Sequence, residues 1–70
     1  MITLRETFNN RTISTHRTLP AAVRAQRKHV AAVRKANGRS AYLPYEFLDK
    51  TGAKVSDEAV TEARIELDNA

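Results

Sequence analysis

Five cations recur at short intervals along residues 21–38, AAVRAQRKHVAAVRKANG: Arg24, Arg27, Lys28, Arg34 and Lys35, with no carboxylate among them. At 3.6 residues per turn they fall within a sector of about 120° and span roughly 17 Å of helix. Such a face can neutralise several phosphates at once, and each counterion released strengthens binding at low salt. Arg17 just before the segment and Arg39 just after it extend the track. These residues form the candidate nucleic-acid-binding set. A plainer reading is that long basic stems border an apolar stripe and keep their charged heads in water. A third keeps the attraction internal: Asp57, Glu58, Glu62 and Glu66 come later in the chain and would cover the same cations.

A second polar surface is expected near the N-terminus. Residues 2–8 and 12–16 alternate around Asn9-Asn10, a pair suited to a tight hairpin turn. With those two residues as the loop, Ile2, Leu4, Phe8 and Ile13 share one face. Thr3, Arg5, Thr7, Thr12, Ser14 and His16 share the other. Two-stranded ribbons can enter a major groove, which would make Arg5, Thr7, Thr12, Ser14 and His16 base readers and Arg11 a phosphate anchor. The simpler reading is the solvated side of a half-buried sheet. Tyr42 and Tyr45 flank Leu43-Pro44 near Arg39 and could stack on unpaired bases. As lids over the core or interface anchors they would need no ligand.

Chemistry beyond binding finds little material. His16 and His29 have no Ser, Cys or carboxylate close in sequence to activate them, so no catalytic residue is expected. Two histidines without a thiolate do not make a standard structural zinc site, and neither metal nor cofactor is expected. With only Gly38 and Gly52, there is no glycine-rich phosphate loop. Asn10-Arg11-Thr12 matches a glycosylation pattern, but the N-terminal residues lack an apolar stretch of signal-peptide length, so the match is taken as incidental. No apolar run approaches the roughly 20 residues a bilayer requires. A cytoplasmic protein without a membrane partner is expected.

The net charge of +4 divides unevenly. Residues 1–45 carry nine Lys and Arg against the single acid Glu6, a balance of +8. Residues 46–70 carry seven acids against three bases, a balance of −4. That asymmetry suits either a polyanion-binding half or two halves that attract each other. Of the 41% hydrophobic residues, 11 are alanine, leaving 18 larger apolar side chains for one small domain spanning residues 1–70. A chain of this size buries about 60% of its unfolded surface, so pairing into a homodimer is one way to complete the core.

The elements that must position these residues follow from local signals. A hairpin is expected over 2–17. Thr18 as cap, Pro20 in the first turn and Asn37-Gly38 as stop predict a helix over 19–37. Its spacing predicts Val23, Val30 and Val33 buried, with Ala21, Ala25 and Lys28 exposed. A strand over 41–49 should follow, and Pro44 places it at an edge or confines it to Tyr45–Leu48. Ser56-Asp57-Glu58 opens a helix over 57–68. Ala63, Ile65 and Leu67 alternate with Arg64, Glu66 and Asp68, which would also suit a strand. The order gives an α+β, two-layer ββαβ(α) domain, its main helix packed on a three-stranded antiparallel sheet, with a short acidic C-terminal helix.

The function expected is that of a small non-enzymatic accessory protein that binds DNA electrostatically. The alternative is a protein-interaction module, or a self-associating adaptor of phage or plasmid type, docking on an acidic protein surface.

Overall fold

The computed structural model describes residues 1–38 and 44–69. Its elements are β1 (Ile2–Glu6), β2 (Arg11–His16), α1 (Leu19–Asn37), β3 (Tyr45–Leu48) and α2 (Asp57–Asp68). The strands form one antiparallel sheet in the order β2-β1-β3, so β1 is central. Leu4 of β1 pairs with Phe47 of β3 and with Ser14 of β2, which puts all three on one face. That face receives the helices and the arrangement is the expected ββαβ(α).

The hairpin departs from the tight turn predicted at Asn9-Asn10. Glu6 pairs with Arg11, so residues 7–10 form a four-residue loop, with Asn10 in the left-handed region at φ 53°. Asparagine tolerates that conformation better than most residues. Phe8 therefore sits in the loop and is 78% exposed, not part of the apolar face. Glu6 is buried instead, and its Oε1 accepts the Asn9 N–H at 3.0 Å, bracing the loop.

A register shift between Leu4 and Arg5 then corrects the predicted faces. Arg5 still opposes Thr12, but Leu4 opposes Ser14 and Ile2 opposes His16, leaving Ile13 as the extra residue of a bulge. A two-residue register change preserves faces and a one-residue change exchanges them. Ser14 and His16 are thereby moved to the helix side, where Ser14 Oγ and His16 Nε2 lie 2.7 Å apart. Ile13 remains half-buried against the core.

α1 has the predicted bounds. The Ala21 N–H donates to Thr18 Oγ1 at the start, and the Gly38 N–H donates to the Arg34 carbonyl at the end, at 2.8 Å. Gly38 stands at φ 92°, where a side chain would be strained. The buried residues are Ala22 and Val23, whereas Val30 and Val33 are only half-buried and Ala25 is half-buried rather than exposed. The helix presents small residues to the sheet, which lets the two layers lie close. Its 19 residues make it about 28 Å long, more than strands of 4–6 residues can cover. Burial accordingly fades toward its C-terminal half.

β3 is an edge strand confined to Tyr45–Leu48; the predicted start of this strand, residues 41–43, lies outside the described residues. After a turn through Gly52 at φ 85°, the chain folds back: the Val55 N–H donates to the Phe47 carbonyl at 2.7 Å. α2 is a helix, not a strand. Ser56 Oγ accepts the Ala59 N–H, and Val60 and Ala63 are buried while Ile65 is exposed, a helical and not an alternating pattern. Leu4, Ala22, Val23, Phe47, Val60 and Ala63 form the core, flanked by Ile2, Ile13, Leu19, Ala25, Tyr45, Val55 and Leu67.

Candidate nucleic-acid interface

With Ala22 and Val23 turned to the sheet, the cations of α1 point outward. Arg24, Arg27, Lys28, Arg34 and Lys35 are all exposed, as is Arg17 ahead of the helix. Arg39 and Tyr42 lie outside the described residues. Arg34 and Lys35 occupy the last turn, where the helix dipole favours positive charge.

Among the described residues two depressions shape this surface; one recruits His16, expected on the polar face of the hairpin, and the other recruits Arg64, which was no candidate. The first, an open concavity of about 750 Å³, brings His16 of β2 beside Arg24 and Lys28, with Leu67 on its rim. Only the bulge puts His16 there, and nothing local in the sequence announces a bulge. The second, about 350 Å³, lies between the helices and brings Arg64 of α2 to Gln26, Arg27 and Arg34. Arg64 follows Val60 by four residues and Ala63 by one, so the helical reading of 57–68 already sets it at the margin of the buried stripe.

The alternative in which the acidic tail covers these cations finds one close contact among the described residues. Among the described residues, Asp57, Glu58, Glu62 and Glu66 form no ion pair within 4 Å; Asp68 does, accepting a hydrogen bond from Arg27 Nη1 at 2.8 Å. That bond holds the Asp68 carboxyl below its ordinary range. Arg24, Lys28, Arg34 and Lys35 have no carboxylate partner among the described residues.

The ribbon surface predicted for base reading is dismantled. Arg5 is ion-paired with Glu46, its cross-strand neighbour on β3. Thr7 lies in the loop and donates to the Pro44 carbonyl at 3.3 Å. Ser14 and His16 face the helix side, so Thr12 alone of the proposed readers remains an uncommitted strand residue of the open face. Tyr45 turns inward as a lid. Its hydroxyl lies 2.6 Å from His29 Nδ1, and burial, with a smaller push from the Glu6 charge, raises its pKa.

Among the described residues no three His, Cys, Asp or Glu side chains gather as a metal site, and no helix is long and apolar enough to cross a membrane. No protein-family model matches this chain, and comparisons with curated proteins and with solved structures find no match.

Proposed function

We propose that this protein is a non-enzymatic accessory protein that binds the phosphate backbone of duplex DNA through the exposed face of α1. The observation that carries the reading is the state of the cations: of the five on α1, only Arg27 is paired with a carboxylate among the described residues. Four exposed cations on one helix, unpaired among the described residues, are set out for a line of phosphates. At about −0.9 per contact, four contacts give a slope of log affinity against log salt near −3.6. With the ribbon face broken up, base recognition has no obvious set of readers, and binding that tolerates many sequences follows.

An NMR titration with a mixed-sequence DNA duplex at low and moderate salt tests the reading. Shifts should concentrate on Arg24, Lys28, Arg34 and Lys35 and shrink steeply as salt rises. Arg5→Gln should leave the titration nearly unchanged, because Glu46 already holds that guanidinium. Absence of binding near roughly 50 mM salt, where phosphate contacts are strong, would refute the proposal and favour an acidic protein partner.

A further inference from the structure

The cleft between α1 and α2 is unusual for its charge. Three guanidiniums, Arg27 and Arg34 from α1 and Arg64 from α2, line one concavity of about 350 Å³ with the Gln26 amide. Among the described residues no carboxylate lines the concavity, and the one ion pair made by its arginines is that of Arg27 with Asp68, which lies outside the lining. Arg34 and Arg64 have no carboxylate within 4 Å among the described residues. Asp68 is also poorly placed for its own helix. It closes the last turn of α2, which holds no basic residue, and there the dipole disfavours a carboxylate. Its pairing with Arg27 offsets that disadvantage.

We propose that this cleft is a phosphate-binding site in which Arg27, Arg34 and Arg64 hold one phosphodiester of a DNA strand, and that Asp68 is the internal anion which the phosphate displaces. The inference rests on the reading of α1 as a DNA-binding face and adds α2 to it. Guanidinium forks match phosphate oxygens two at a time, and arginines contributed by two helices to one concavity can grip a phosphate from two sides where a single row only attracts it. Arg27 and Arg34 are seven residues apart, two turns of α1, at the border of its outer basic face. A strand lying along that face therefore passes the mouth of the cleft. The phosphate gains a third guanidinium and must first dislodge a carboxylate, so the acidic helix both completes the site and weakens it.

The test measures affinity of the full chain for a short mixed-sequence duplex across a salt series, with folding of each variant checked by circular dichroism. Arg64→Gln should weaken binding by about threefold to tenfold and make the salt slope shallower by about 0.9, the value of one contact. Asp68→Asn should strengthen binding by about threefold to fivefold, the scale of one charge at contact distance in water. Lys50→Gln and Glu62→Gln change net charge equally but leave the cleft intact, and should have less than half those effects. If the wild type binds the duplex but Arg64→Gln matches Lys50→Gln and Asp68→Asn matches Glu62→Gln, the cleft is not a site and the outer face of α1 acts alone. If the wild type does not bind, the reading of α1 fails and the cleft proposal falls with it.

Discussion

His29 and Tyr45 meet edge to face, with ring centroids 5.6 Å apart, planes at 88° and Nδ1 2.6 Å from the phenol oxygen. The contact fastens the middle of α1 to the edge strand β3. Beyond it α1 carries Arg34 and Lys35, so this pair helps to set the direction of the basic face.

Tyr45→Phe keeps the ring and removes the hydrogen bond, and should cost about 1 kcal/mol in denaturant unfolding. The pH dependence has a defined sign. Burial first, and the Glu6 charge second, raise the phenol pKa in the folded state. Stability held by the neutral phenol is complete below its ordinary value of about 10 and is lost as pH rises through the folded value. Alkaline destabilisation should therefore be smaller in Tyr45→Phe; equal alkaline slopes in both proteins would contradict the assignment.

Val23 is fully buried and Val33 is half-buried on the same helix. Removing two methyl groups at Val23 by substitution with Ala should cost about 2 kcal/mol, cavity included. The same change at Val33 should cost less than about 1 kcal/mol, because water already reaches that site. Equal losses in urea unfolding would mean that burial does not fade along α1.

Asp49 holds the turn between β3 and α2. Its Oδ1 accepts the backbone N–H groups of Thr51 at 2.8 Å and Ala53 at 3.1 Å, as well as the Thr51 hydroxyl. The Thr51 hydroxyl is the largest cause of its lowered pKa. A depressed carboxylate stabilises the fold above its ordinary pKa, and that contribution disappears as pH falls through the folded value. Asp49→Ala should lower the melting temperature at neutral pH and reduce the further loss on acidification. Thermal unfolding at neutral and strongly acidic pH reads both effects.

Where local signals decide structure, the sequence was a sufficient guide. Thr18, Pro20 and Gly38 bound α1 because caps and stops act on backbone groups within one turn. Pro44 likewise confined β3, and Ser56 opened α2. The bulge at Ile13 was not legible, since strand register is settled by pairing with β1 and by packing on the core, not by the alternation of β2 alone. The same error hid His16, which the bulge carries to the helix side. Arg64 is not legible as a site residue from the sequence, because it stands alone among the acids of 57–68. Only the packing of α2 on α1 brings it to Arg27 and Arg34. Burial of Glu6 was equally unannounced: an isolated acid in a basic half looks solvated until its carboxylate is needed by the Asn9 N–H.

The most direct test of the central claim is the salt dependence of duplex binding by the wild type and by a variant with Arg24, Lys28 and Lys35 all replaced by Glu. All three side chains are exposed and none is paired with a carboxylate among the described residues, so the fold should survive. Surface changes of this kind usually stay within about 0.5 kcal/mol each. The wild type should bind at low salt with a log–log slope at least as steep as about −2.7, the sum of three contacts, and the variant should not bind measurably. A folded variant that binds the duplex as tightly as the wild type, with the same slope, would show that the outer face of α1 is a solvated surface and not a binding one.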